Sequence, residues 1–224
     1  MGMSPATVNR WRTRPPRRTR AGEPPSDWHP PDDRAYCYLL GLYLGDGCIW
    51  IGKRRWPPSL RIYLDACYPS IVAEARAAMA AVAPESTTHQ HIRTGCVALT
   101  AGSAIWPVAF PQAGPGHKHE RIIELADWQC ELTERHPKAL LRGLVHSDGC
   151  RCVNRFTIRL PKGGDREYAY VRYFFSNHSL GIQRIFASHC ELLGVRWTQS
   201  TPFMLSVSDR ASVALLDSFI GPKA

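Results

Sequence analysis

Leu39-Leu40-Gly41-Leu42-Tyr43-Leu44-Gly45-Asp46-Gly47-Cys48 and Leu141-Arg142-Gly143-Leu144-Val145-His146-Ser147-Asp148-Gly149-Cys150 are two copies of one pattern. Leu, Gly, Leu, Asp, Gly and Cys recur at matching offsets, and the two Asp lie 102 positions apart. A repeat at that spacing points to a duplicated unit of roughly 100 residues, not a solenoid of short repeats. Within each copy the small residues stand four apart, Gly41 with Gly45 and Gly143 with Ser147. On a helix, positions four apart share a face, and small residues there let two backbones approach closely. The pattern therefore predicts two helices packed side by side through Gly41, Gly45, Gly143 and Ser147. Their C-termini would carry Asp46 and Asp148, and Gly47 and Gly149 would close them in a left-handed conformation.

Outward from the motifs, both halves read alike. In the first, Leu60, Ile62 and Leu64 alternate with Arg61 and Tyr63, the period of a half-buried strand. Ile71, Val72, Ala75, Met79 and Val82 share a helical face, and His89 to Thr100 is β-prone. In the second, Phe156, Ile158 and Leu160 alternate with Arg155, Thr157 and Arg159, and Tyr168 to Phe175 reads as another strand. A helix from Ser179 to Leu193, a hairpin from Arg196 to Ser208 and a closing helix from Ser212 to Ile220 follow. Each half thus reads αββαββα. Residues 35–136 hold the first unit with a linker, in which Glu120 to Leu132 reads as a helix, and residues 137–224 hold the second. Residues 1–34 form an arm rich in Arg and Pro, and Gly2 to Trp11 reads either as a disordered basic tail or as the second half of a helix-turn-helix.

The two copies resemble the LAGLIDADG motif, and the resemblance covers roughly residues 36–221. It implies an α+β fold of two pseudo-symmetric αββαββα units in one chain, with curved antiparallel sheets forming a saddle over the major groove of duplex DNA. It also implies a site-specific double-stranded DNA endonuclease of the homing type, working as a monomer. Asp46 and Asp148 would be the catalytic acids. With Gly45 and Ser147 beside them, they would hold Mg²⁺ or Mn²⁺ for phosphodiester hydrolysis. Carboxylates at a helix C-terminus are unfavourable by about 0.3–1 kcal/mol each, and proximity raises a pKa. A bound cation removes both penalties. Lys53, Arg54 and Arg55 at a hairpin tip would contact DNA, with Arg61 and Tyr63 on the first sheet and Arg155, Thr157, Arg159 and Arg172 on the second. In the family, basic residues, often Lys, stand near the acids. Here Lys53, Lys118, Lys138 and Lys162 occupy no equivalent places in the two halves, so Lys53 and Arg151 stand as substitutes. The same scaffold also carries a non-cleaving transcription regulator, which the N-terminal arm suits, and an RNA-binding maturase.

Composition agrees with a polyanionic partner. The chain has 224 residues, a net charge of +9 and a pI near 9.4. No apolar run reaches the roughly 18–20 residues that cross a bilayer, so no membrane is expected, and the location read from the sequence is cytoplasmic and nucleoid-associated. The eight Cys include no Cys-x-x-Cys pair. Cys150 with Cys152, His89 with His91 and His117 with His119 leave a zinc site open, and free thiols in a reducing compartment are the alternative.

Overall fold

The computed structural model describes residues 28–52, 56–161, 163–221 and 223. The arm up to residue 27, the helix-turn-helix reading at its start, the Lys53-Arg54-Arg55 tip and Lys162 lie outside them. Helix α1, Asp33–Asp46, starts where the Asp32 side chain accepts from the Ala35 N–H at 2.8 Å. It is buried all round from Tyr36 to Leu44. Strands β1 (Gly47–Trp50) and β2 (Ser59–Asp65) follow, then α2 (Pro69–Val82), β3 (Thr88–Arg93) and β4 (Cys96–Gly102). A short α3 (Trp106–Ala109), a 3-10 turn at Lys118–Glu120 and α4 (Asp127–Arg135) bridge to α5 (Pro137–Asp148). The second unit continues with β5 (Gly149–Arg159), β6 (Asp165–Ser176), α6 (Leu180–Leu192), β7 (Thr198–Thr201), β8 (Met204–Val207) and α7 (Arg210–Ile220).

The strands make two four-stranded antiparallel sheets, ordered β1-β2-β4-β3 and β5-β6-β8-β7. Register repeats between them: Gly47, which follows α1, pairs with Ile62, and Gly149, which follows α5, pairs with Phe175. One apolar cluster runs through both units and includes α1, α5 and the helix-facing sides of the sheets. Over the first sheet α2 buries Ile71, Val72, Ala75, Met79 and Val82. Over the second, Phe186 of α6 stacks on Phe175 with ring centroids 4.4 Å apart.

Three expectations change. Gly47 and Gly149 are extended, with φ of −100° and −104°, because each helix runs straight into a strand. Glycine is required there by space: an added Cβ would lie 2.6 Å from Tyr43 Cα in one case and 2.7 Å from Val145 Cα in the other. The linker helix begins at Asp127, not Glu120. Upstream of it the Ile123 carbonyl packs so tightly on Gly181 that a Cβ there would collide with it, and Arg121 donates to the Gln112 carbonyl at 2.9 Å. Tertiary contacts thus hold that stretch extended against its helical propensity. Finally, Phe156, Ile158 and Leu160 are exposed. β6 pairs with β8 only from Tyr173 to Ser176, so the rest of β5–β6 runs on as a two-stranded ribbon past the helices that would cover it.

Candidate active site

The backbones of α1 and α5 touch. A Cβ on Gly41 would sit 2.5 Å from the Leu140 carbonyl and 2.8 Å from Gly143 Cα, and one on Gly143 would overlap the Tyr38 carbonyl. Only glycine permits this approach, and it carries the two C-termini forward together. One turn on, a Cβ on Gly45 would overlap Ser147 Oγ and lie 2.9 Å from Asp148 Oδ2. The Ser147 hydroxyl itself is turned back on its own helix, within 3.0 Å of the Leu144 carbonyl and 3.2 Å of the Gly143 carbonyl.

Asp46 and Asp148 line one cleft of about 520 Å³, shared with Tyr63, Lys118, Asn177 and His178. Burial, and next the neighbouring Asp148, push Asp46 up to about 6, while Lys118 and Lys223 pull it back. Burial also raises Asp148, opposed first by a hydrogen bond from Asn177 Nδ2 at 2.6 Å and then by the same two lysines. The Asn177 hydrogen bond favours the ionised form of Asp148, and the neighbouring Asp148 charge disfavours ionisation of Asp46. Two half-buried carboxylates that hold protons more strongly than usual even beside two lysines form a hard oxygen donor pair, which fits a divalent cation of the Mg²⁺ or Mn²⁺ type.

The lysines were not legible as a pair. Lys118 Nζ donates to the last α1 carbonyls, Tyr43, Leu44 at 3.0 Å and Gly45 at 3.1 Å, and stands 4.8 Å over the Tyr43 ring. Lys223 Nζ donates to the Gly149 carbonyl just beyond α5. Each places a cation at the negative end of a motif helix. Burial pushes Lys118 down to about 8 against the pull of Asp148 and Asp46, and it lowers Lys223 as well. Lys223 arrives there because the end of α7 is fastened. Arg142 pairs with both Glu74 oxygens at 2.7 and 2.8 Å and donates to the Phe219 and Ile220 carbonyls. His146 accepts from Tyr38 Oη at 2.9 Å and donates to the Ile220 carbonyl at 3.1 Å. Burial holds His146 at about 4, so it is neutral at pH 7 and keeps the tautomer this requires. Arg151, the expected substitute, is instead taken by Asp217 at 2.7 and 3.0 Å.

On the first sheet, Arg61 and Tyr63 lie on the face away from buried Leu60, Ile62 and Leu64, and the Arg61 guanidinium covers Trp50 at 4.8 Å. The corresponding face of the second sheet carries Arg172 but not its expected companions. Arg155, Thr157 and Arg159 pair with Ala169, Glu167 and Asp165, which places them on the side of buried Tyr173. The expectation that these four residues share a face is corrected by register. Among the described residues no three His, Cys, Asp or Glu side chains group as a metal site, those near Cys150, Cys152, His89, His91, His117 and His119 included. None of the described helices is long and apolar enough to cross a membrane.

No family model matches the chain, and no curated protein matches it in sequence. Solved structures do match its fold. The LAGLIDADG meganuclease I-AabMI bound to uncleaved DNA is similar with a TM-score of 0.53 at 14% identity, over 82% of each chain. I-DmoI in complex with DNA and Mn gives 0.53 at 16% identity, over 85% of this chain and 98% of that one, and its complex with DNA and Ca gives 0.52 at 14%, over 85% and 91%. With two αββαββα units, two four-stranded antiparallel sheets and a central glycine-packed helix pair, this chain has the LAGLIDADG homing-endonuclease fold.

Proposed function

We propose that the chain is a site-specific double-stranded DNA endonuclease that acts as a monomer and uses Mg²⁺ or Mn²⁺. The observation that carries this reading is the meeting of Asp46 and Asp148, both with raised proton affinity, beneath Lys118 and Lys223 at the ends of two backbone-packed helices. Similar structures support it: I-AabMI bound to DNA, and I-DmoI in complex with DNA and Mn or Ca. Asp46 and Asp148 hold the cation, with the backbones of Gly45 and Ser147 beside them. A divalent cation held there would supply Lewis-acid chemistry, for activation of water and stabilisation of the leaving 3′-oxygen. Asn177 fixes the Asp148 carboxylate through its 2.6 Å hydrogen bond. Lys118 and Lys223 offset charge that develops on the phosphate. Arg61, Tyr63 and Arg172 face the duplex from the two sheets, and the charge of Lys53, Arg54 and Arg55 suits phosphate contact.

The test is selection of a bound site from a randomised duplex library, then strand scission with Mg²⁺ or Mn²⁺ for wild type, Asp46→Asn and Asp148→Asn. The expected outcome is cutting by wild type, loss by orders of magnitude in either variant, and metal-free binding that holds or tightens. Tight binding by wild type with no scission in either metal replaces the nuclease reading with a non-cleaving DNA-binding regulator.

A further inference from the structure

The β5–β6 ribbon carries a surface that the cleavage site does not use. On the face away from Tyr173, β5 presents Asn154, Phe156 and Ile158, and β6 presents Arg166, Tyr168, Tyr170, Arg172 and Phe174. Phe156 and Ile158 are 38% and 45% exposed although both are large and apolar. The groups are ordered against one another. Phe156 stacks on Tyr168 at 5.3 Å with planes 11° apart and meets Tyr170 edge-on at 5.8 Å. Asn154 donates to the Tyr170 hydroxyl at 3.0 Å. The Arg166 guanidinium lies over Tyr168, and that of Arg172 lies over both Tyr170 and Phe174, each at 5.2 Å.

Charge selects the partner. On this face Arg166 and Arg172 stand without an acid, because Asp165 and Glu167 project to the other side with Arg159 and Thr157. A positive, aromatic, apolar ribbon suits a nucleic-acid groove, and a two-stranded ribbon fits the major groove of a duplex. The contact chemistry follows from the rings. The Phe156–Tyr168 stack and the guanidiniums over Tyr168, Tyr170 and Phe174 already occupy ring faces, which leaves less for bases to stack on than a single-strand platform offers. Ring edges and the Ile158 methyls remain, and the apolar group that a major groove offers is the C5-methyl of thymine.

We propose that this ribbon is a specificity-determining surface that reads thymine methyl groups in one half of the DNA site, with Phe156 and Ile158 as the contacting residues. The first sheet offers Arg61, Tyr63, His89, His91 and Thr100 on its corresponding face, polar groups suited to base-edge hydrogen bonds. The two halves of the target therefore differ in what is read: methyl groups under the second sheet, donors and acceptors under the first. The proposal rests on the reading of the chain as a duplex-DNA binder.

The experiment uses the full chain, without metal, on the duplex selected from a randomised library. Thymines are replaced by deoxyuridine in one half-site at a time, which removes only the methyl. Loss of affinity is expected in one half alone, about fourfold per contacted methyl, as for one buried CH₂ unit. In Phe156→Ala and in Ile158→Thr the same replacement should cost less than in wild type, by the share of the methyl that each residue contacts. Both side chains are exposed, so the melting temperature checks that each variant folds, and either variant suffices. Uracil without effect in both halves, or an effect undiminished in a folded variant, overturns the proposal while leaving duplex binding intact. Failure to select any duplex overturns the DNA-binding reading and the proposal together. If instead Phe156→Ala converts a dimer to a monomer and leaves the uracil response unchanged, the ribbon is a self-association face.

Discussion

The two units differ least at their helices and most at their strands. At the dyad, α1 and α5 are held to matching small residues because each backbone forms the wall against which the other packs. In the first sheet β2 pairs with β4 along its whole length, Ser59 to Asp65, and its inner residues Leu60, Ile62 and Leu64 are all buried. In the second sheet β8 reaches only the last turn of β6, and β5–β6 continues for most of its length with both faces exposed. Packing constrains the duplicated unit where two copies touch and releases it where a strand outruns its helices. On the proposed reading, the shared centre serves both strands and the unequal margins distinguish one half of a target from the other.

The most severe way to break the centre's symmetry is through its lysines. Lys118 holds three carbonyls and a ring, whereas Lys223 holds one carbonyl at the end of a tail. Lys118→Met is expected to lower the scission rate by roughly 10²–10³, the usual cost of removing one preorganised charge-stabilising donor. Lys223→Met should cost less, and neither should change metal-free DNA affinity by more than a small factor. Single-turnover rates on the selected site decide the order. Equal losses would mean that the two ends are more alike than their hydrogen bonds. Next in size is the helix pair itself. Gly41→Ala and Gly143→Ala force backbones apart and should each destabilise by about 1–3 kcal/mol or more, measured by urea unfolding. An alanine at Gly102, whose Cβ would meet only Pro57 Cγ at 3.3 Å, should be far milder.

A third expectation separates the two acids by pH. Asp46 is raised to about 6 in the fold, so its contribution to stability is fully present below its unfolded value near 3.8 and is lost as pH rises through about 6. At neutral pH the metal-free protein carries a buried charge that Asn would not. Asp46→Asn should therefore stabilise the metal-free protein at pH 7 by up to about 3 kcal/mol, seen as a higher melting temperature, with the gain vanishing below about pH 4. Asp148→Asn should gain less because Asn177 already stabilises the Asp148 charge. Melting curves in chelator across that range would refute this if the Asp46 gain were flat with pH.

What the sequence made legible, and what it hid, follows the same division. The helix pair was readable because its requirement is local: small residues four apart, then Asp-Gly, twice. The strand and helix order was readable from hydrophobic period. The orientation of β5 was not, since Phe156-Thr157-Ile158-Arg159-Leu160 alternates just as Leu60-Arg61-Ile62-Tyr63-Leu64 does. Which face is inside depends on the anchors Tyr173, Phe175 and Leu205 at the base of the ribbon. Lys118 and Lys223 were hidden for another reason. One comes from the linker and the other follows α7, and they meet the acids only because the linker returns across α1 and Arg142 and His146 fasten the end of α7. Asn177 left a faint signal as the polar residue two before the Ser179 helix cap, whose N–H it accepts at 2.7 Å.

The smallest expected effect tests that corrected orientation directly. Each phosphate contact contributes about 0.9 to the log–log salt slope of binding. Arg61 and Arg172 lie on the faces turned away from the core, one beside Trp50 and the other over Tyr170 and Phe174. Arg155 and Arg159 lie on the opposite side of the ribbon, and Arg159 stands across from Asp165. Replacing Arg61 or Arg172 with Ala should therefore flatten the slope by nearly one unit each, as one lost phosphate contact does. Arg155→Ala and Arg159→Ala should move it by a fraction of that, because a ribbon entering a groove turns only one face fully toward the bases and a neighbouring acid already offsets part of the Arg159 charge. Binding of the full chain to the selected duplex between low and moderate salt gives all four slopes. If Arg155 and Arg159 prove equal to Arg172, the ribbon must twist enough past Tyr170 to bring its other face to the DNA, and the thymine-reading surface would then be sought among Val153, Thr157 and Ala169 instead.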